Sequence, residues 1–207
     1  MKNNISNISK TQKLALIGIF GALAAVLMYI EFPVFFAPPE AYKLDFSEVP
    51  VLISSFLMGP VAGVATEVLK ILIKLLIKPT STAFVGEFAN LVVGCMFVLP
   101  ASLVYWRKKN RKNAMIGMVT GTISMTVIGC LVNAFILLPA FAYLMGNIPI
   151  SKIIEMGTAV NPAIKDMYTF IILAVAPMNL LKGILVSVIV FIIYKPITKG
   201  IKAIMKF

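Results

Sequence analysis

The chain has 207 residues, of which 60% are hydrophobic and 13% are charged, and its formal net charge is +11. This composition excludes a soluble globular domain, which carries about 45–50% apolar and about 25% charged residues. The cations lie between the apolar regions, a distribution that indicates the orientation of membrane spans rather than nucleic-acid binding. Because these regions lack the strict alternation of barrel strands, the sequence predicts an all-α integral membrane protein.

Five apolar regions follow one another along the chain: Leu14–Ile30, Val49–Ile77, Phe88–Trp106, Asn113–Ser151 and Met167–Tyr194. The first region also fits a signal peptide, but we expect it to be a retained helix because the rest of the chain is membrane-like. The second region is ambiguous, since a single helix of that length would measure about 43 Å at about 1.5 Å per residue. A turn dipeptide, Gly59-Pro60, lies in its middle.

Most of the basic residues lie in three segments: the N-terminal tail, the loop 107–112 and the tail after Tyr194. Cytoplasmic segments carry an excess of Lys and Arg, so all three are expected on that side. The N-terminal tail and the loop share a side only if the second apolar region crosses twice. The prediction is a single transmembrane domain over 1–207, with both termini cytoplasmic and six transmembrane helices at approximately 12–32, 47–59, 60–78, 85–106, 113–142 and 168–195.

The predicted outward-facing connections are 33–46, 79–84 and 143–167, and the first and last of them are long and rich in Pro and Gly. Such loops often form binding sites, so we expect a capture site that the outer loops close. Within the last connection, Ile150–Ile154 is predicted to form a short interfacial turn. The sequence has no G-x-x-x-x-G-K-[ST] motif, so a transporter of this kind would take its energy from a partner.

The sharpest candidate for a binding residue is Lys182, because ionisable residues within spans are costly and are commonly functional. Asn179 lies three residues earlier, on the same helix face, and Pro177 frees a backbone carbonyl in the preceding turn. Together an ammonium and an amide suit the polar edge of a planar heterocycle. The alternatives are that Lys182 snorkels to the interface or pairs with a glutamate.

Other polar residues have both a binding and a structural interpretation. Asn133, midway along the fifth helix, binds ligand or joins two helices. Asp45, Ser47 and Glu48 cap the second helix, or accept hydrogen bonds from a sugar-like hydroxyl chain. Further candidates share helix faces, either as ion-pair ladders or as lining of an outer cavity: Glu67, Lys70, Lys74, Glu87 and Asn90.

The first helix carries two pairs of small residues, Gly18 with Ala22 and Gly21 with Ala25. Small residues at this spacing let another helix approach closely. We therefore expect a docking face for a partner helix, either within this chain or in a separate subunit.

Neither catalysis nor metal binding is expected. The sequence has no histidine, and its two cysteines, Cys95 and Cys130, both lie inside apolar runs. A small membrane enzyme that uses Glu67 or Glu87 as acid or base remains an alternative function, as does a structural protein without a ligand.

Five motifs in order resemble the riboflavin-binding S components of energy-coupling-factor (ECF) transporters, over roughly residues 11–196. They are Leu44-Asp45-Phe46-Ser47-Glu48-Val49-Pro50, Gly59-Pro60-Val61-Ala62-Gly63, Gly86-Glu87-Phe88-Ala89-Asn90, Asn133-Ala134-Phe135-Ile136-Leu137-Leu138-Pro139 and Pro177-Met178-Asn179-Leu180-Leu181-Lys182-Gly183.

The resemblance implies a six-helix fold in a bacterial cell membrane, no cofactor, and riboflavin or another vitamin as the transported substrate. It implies a binding pocket near the outer face, capped by the first outer loop, with ligand contacts from Asn133, Asn179 and Lys182. It also implies three partner subunits, namely a membrane coupling subunit (T component) and two ATPases. Gly18 and Gly21 stand where the family usually has alanines on its docking face.

Overall fold

The structure is a computed structural model that describes residues 9–37, 42–80, 82–144 and 149–205. Parts of the N-terminal tail and of the three outer connections therefore lie outside the described residues. The described residues form seven helices and a pair of two-residue strands. The strands, β1 (Phe32–Pro33) and β2 (Lys43–Leu44), pair antiparallel at the two ends of the first outer connection.

The helices are α1 (Lys10–Tyr29), α2 (Glu48–Met58), α3 (Pro60–Ile77), α4 (Val85–Arg107), α5, α6 (Ile150–Val160) and α7. Helix α5 consists of Arg111–Val132, a π-helical turn at Asn133–Leu137, and Leu138–Leu144. Helix α7 consists of Met167–Phe170, a π-helical turn at Ile171–Val175, and Ala176–Met205. By length and composition, α1, α4, α5 and α7 could each cross a membrane, as expected of an all-α membrane protein.

Helix α2 is the central element of the bundle, because all of its 11 residues are buried. It packs against α1, α3, α4 and α7, and at about 1.5 Å per residue it is only about 16 Å long. The chain reverses after it at Gly59, whose φ of 106° is readily adopted only by glycine. Pro60 then begins α3, a position at which its missing N–H costs nothing.

The bundle has two ends that differ in their residues. The basic end consists of the Gly59 turn, the loop 108–110 and the second half of α7. Two contacts join the helices there. The Trp106 ring nitrogen donates to the Ser55 carbonyl at 3.1 Å, and the Tyr105 and Tyr194 hydroxyls lie 3.1 Å apart. The loop end holds the strands, the loop 78–84 and α6.

The helices lie within about one turn of the predicted segments, apart from two differences. The last helix continues to Met205, because Pro196 is accommodated within it and does not end it near 195. The predicted turn at Ile150–Ile154 is instead the first half of α6, which has 11 residues. One face of α6 is apolar, and its Gly157 lies directly against Phe170 and Ile164.

The π-helical turns of α5 and α7 have the same cause. A proline lacks the N–H of a normal helical hydrogen bond, and its ring clashes with the carbonyl four residues earlier. For Pro139 and Pro177 those carbonyls belong to Phe135 and Leu173, which are the middle residues of the two π-helical turns. Asn133 is the first residue of the turn in α5, and Asn179 lies four residues beyond the turn in α7.

Candidate binding site

A set of interacting polar side chains occupies the interior between α2, α3, α4 and α7. We call it the buried polar cluster; its members are Asp45, Ser47, Glu48, Glu67, Lys70, Asn90 and Lys182. Five of these residues were predicted as binding residues, whereas Glu67 and Lys70 were interpreted mainly as a structural ion pair.

Lys182 faces the interior of the bundle and is only 8% exposed. Its ammonium donates to Asp45 Oδ2 at 2.8 Å and lies 4.0 Å from Glu48 Oε1. The pairing alternative is therefore observed, with an aspartate as the nearest carboxylate. Because an ammonium has three N–H donors, the pair with Asp45 does not exhaust the hydrogen-bonding capacity of Lys182.

Asp45 both shapes the entry to α2 and holds Lys182. Its Oδ1 accepts a hydrogen bond from the Ser47 backbone N–H at 2.8 Å, which is a local turn contact rather than a side-chain cap by Ser47. Burial alone would raise the pKa of Asp45, but attraction from Lys182 and Lys70 and the hydrogen bonds from Lys182 and Ser47 lower it below its ordinary value. Asp45 is therefore held as a carboxylate.

Lys70 is the hub of the cluster. Its ammonium donates to Glu48 Oε1 at 2.8 Å and Asn90 Oδ1 at 3.2 Å, and it lies 2.5 Å from Glu67 Oε1. Asp45, Glu48 and Glu67 share Lys70 and Lys182, so carboxyl groups outnumber ammonium groups three to two in the cluster. Glu48 Oε2 and Glu67 Oε2 are buried without a hydrogen-bond partner among the described residues, so acceptors remain for a guest that brings hydroxyl donors.

Glu87 binds residues at the loop between α3 and α4, and it does not contact Lys70 or Lys182. It pairs with Lys74 and accepts hydrogen bonds from Thr80 at 2.9 Å and Thr82 at 3.0 Å. The ion-pair ladder predicted for Glu67, Lys70 and Lys74 is therefore only partly formed. Lys70 pairs with Glu67 inside the bundle, whereas Lys74 pairs with Glu87 next to this loop.

The two candidate asparagines meet across Gly129 of α5. The Asn133 amide donates to the Gly129 carbonyl at 2.8 Å, and its oxygen accepts from the Tyr42 hydroxyl at 2.6 Å. The Asn179 amide donates to Val175 and lies so close to Gly129 that a Cβ there would overlap it. Tyr42 was not predicted as a site residue, since a single loop tyrosine carries no periodic signal.

The small residues of α1 divide between two faces. Gly21 and Ala25 are buried, and a Cβ on Gly21 would overlap the Leu69 side chain of α3. Of the two alternatives left open by the sequence, these two positions therefore fit the first, a partner helix within the chain. Ala22 is exposed, and Gly18 has no neighbouring atom within 4 Å of a Cβ built on it, so this pair remains open.

The arrangement offers donors, acceptors and charge but no nucleophile paired with a base, so it is suited to binding. Fold and site together define a helical membrane protein with a polar site enclosed between its helices. The profile described as "ECF transporter, substrate-specific component" matches residues 12–194. The chain belongs to this family, whose members are transporter components and not enzymes.

Individual relatives agree with this assignment. The chain is 31% identical to the "Riboflavin transporter RibU" of Staphylococcus aureus (strain TCH60), with 96% of each chain covered. It is 30% identical to the "Riboflavin transporter FmnP" of Bacillus subtilis (strain 168), over 90% of this chain and 94% of the relative. A solved structure described as the S component of a bacterial ECF transporter superposes with a TM-score of 0.71 at 32% identity, covering 94% of this chain and 99% of that one.

Proposed function

We propose that the chain is the riboflavin-binding S component of an ECF transporter in a bacterial cell membrane. The observation that carries the proposal is that the Asn133 and Asn179 side chains both reach Gly129 of α5, while Lys182, one turn beyond Asn179, is buried in the bundle. The relatives named as riboflavin transporters support the choice of cargo.

The chemistry of riboflavin matches the two sides of the site. The dione edge of its isoalloxazine ring alternates acceptor, donor and acceptor, which the amides of Asn133 and Asn179 and the ammonium of Lys182 complement. The ribityl hydroxyls would meet the unpartnered oxygens of Glu48 and Glu67. The apolar end of the ring would lie against the buried apolar cluster at the loop end, which includes Tyr42, Leu138, Ile164, Phe170 and Val175.

The wider setting follows from charge and helix length. We assign six spans, with α2 and α3 as the short second and third, and both termini in the cytoplasm, because the basic end carries the densest Lys and Arg. The loop end would then take up riboflavin from outside. Delivery would need a T component and two ATPases, with the Gly18 and Ala22 face of α1 as the docking surface for the T component.

The proposal is tested by titrating the purified protein into riboflavin, whose fluorescence is quenched when the flavin is enclosed. We expect saturable quenching at one site per chain, and weaker binding for Asn179→Ala and Asn133→Ala. Asn113→Ala is the matched control, since Asn113 lies at the basic end of α5. Saturable binding of a different vitamin, without binding of riboflavin, would show that riboflavin is not the substrate. Riboflavin binding that neither Asn179→Ala nor Asn133→Ala weakens would refute the proposed binding residues.

A further inference from the structure

A cavity lies at the basic end, and none of its lining residues belongs to the buried polar cluster. It has a volume of about 460 Å³ and is enclosed by α4, α5 and α7. Its wall includes the stacked Phe56 and Tyr105 rings and the Tyr194 ring, which packs edge-on against both. None of the residues proposed to bind riboflavin lines this cavity, so the proposed vitamin binding does not account for it.

The mouth of this cavity is positively charged. Lys109, Arg111, Lys195 and Lys199 line it, and among the described residues none of the lining side chains is acidic. The sequence explains the imbalance, since its acidic residues lie at the loop end, in the buried cluster or in the first outer connection. A cavity with this lining attracts an anion.

The walls of the cavity are of two kinds. The hydroxyls of Tyr105, Tyr194 and Thr198 lie in the lining beside the cations, whereas Met118 and Val190 give it an apolar side. Phe191 stands at the rim and is 43% exposed on the apolar outer surface of α7, with the Arg111 guanidinium 6.0 Å from its ring. The cavity therefore joins a cationic mouth to a surface that faces lipid tails.

We propose that this cavity binds the phosphate group of an anionic phospholipid, with one acyl chain leaving past Phe191 along α7. Basic pockets between transmembrane helices bind such head groups, and a guanidinium offers phosphate two parallel hydrogen bonds. A soluble phosphate compound would satisfy the same cations, but it would leave the apolar wall and the opening at Phe191 without a role.

The sole tryptophan of the chain, Trp106, provides the reporter, because the Lys109 ammonium lies 3.4 Å from the centroid of its ring. The full chain in phosphatidylcholine nanodiscs is titrated with brominated phosphatidylglycerol, and quenching of tryptophan fluorescence is measured. The pocket variant is Arg111→Gln/Lys195→Gln/Lys199→Gln. The control is Lys10→Gln/Lys13→Gln/Lys108→Gln, which removes as many charges from the same end without touching the lining.

We expect the phosphatidylglycerol fraction needed for half-quenching to rise by about tenfold or more in the pocket variant and by less than about twofold in the control. Gel filtration and thermal unfolding establish that each variant is folded. If the triple variant does not fold, Arg111→Gln alone should raise that fraction by about threefold or more.

Three results would overturn the proposal. Equal shifts in the two triple variants would mean general attraction of lipid to a basic surface. Equal quenching by brominated phosphatidylcholine would mean that the head group is not selected. Reversal of quenching by millimolar inorganic phosphate or glycerol phosphate would identify a soluble phosphate ligand instead. None of these measurements uses riboflavin, so failure of the proposed vitamin binding would leave the lipid result unaffected.

Discussion

The pair formed by Lys182 and Asp45 allows stability and vitamin binding to be separated experimentally. Lys182→Met keeps most of the side-chain volume and removes the charge, and Asp45→Asn removes its partner's charge. We expect each single variant to lose much stability, because the remaining charge is buried without its partner. The double variant should recover a large part of that stability, since neither charge then remains.

The structure sets the size of these effects. Two unit charges 2.8 Å apart attract by about 6 kcal/mol at an effective dielectric constant of about 20, but much of this offsets desolvation. Removing one partner of a buried pair costs about 3–5 kcal/mol. If Lys182 also donates a hydrogen bond to riboflavin, its loss should weaken binding by about 1.5–3 kcal/mol, which corresponds to about tenfold to 150-fold in Kd.

The two quantities are read by separate assays. Thermal unfolding without ligand reports the stability of the three variants, and riboflavin fluorescence quenching at a temperature where each is folded reports affinity. The double variant is decisive, because it should be close to the wild type in unfolding while remaining weak in binding. Wild-type affinity in a folded Lys182→Met/Asp45→Asn protein would refute a direct role for Lys182.

Three further predictions concern other residues. Gly94→Ala should destabilise the protein by at least about 2 kcal/mol in thermal unfolding, because its Cβ would overlap the Glu67 side chain. Gly18→Ala, at an open helix position, should stabilise it by up to about 1 kcal/mol. Equal effects of the two substitutions would contradict the packing argument. Gly18→Leu should retain riboflavin binding but reduce co-purification with a T component and two ATPases, and undiminished assembly would exclude this face of α1 from docking. Tyr42→Phe removes the hydrogen bond to Asn133 and should weaken riboflavin binding by about 1 kcal/mol, so an unchanged titration would remove Tyr42 from the site.

Much of the helical framework could be predicted because lipid leaves few options for a polypeptide backbone. The distribution of Lys and Arg and the Gly59-Pro60 dipeptide divide the long second apolar region into α2 and α3. Helix α6 was predicted only as a short turn at Ile150–Ile154, because its segment was interpreted from its Pro and Gly content, although Ile150, Ile153 and Ile154 already have helical spacing. The last helix was predicted to end near residue 195, but it continues through Pro196 to Met205.

The sequence named the members of the buried polar cluster, but it did not predict the contacts between different helices. Sequence spacing identifies neighbours on one helix, such as Glu67 and Lys70, and it gives no information about the helix opposite. The contact of Lys70 with Glu48 and that of Lys74 with Glu87 both join different helices. For this reason Lys70 was interpreted as part of a structural ion-pair ladder on one helix, whereas its ammonium also contacts Glu48 and Asn90 of neighbouring helices.

The two prolines explain the π-helical turns that lie near the asparagines of α5 and α7. In a π-helical turn each carbonyl bonds to the amide five residues later, as Asn133 does with Leu138 and Ile171 does with Ala176. The wider turn accommodates the missing N–H of the proline and shifts the side chains that follow it. In α5 the turn begins at Asn133 itself, and in α7 it ends at Val175, whose carbonyl accepts the Asn179 amide. The wider turn in α7 therefore sets the position of the Asn179 amide, which follows it, and a regular helix through Pro177 would place that amide elsewhere.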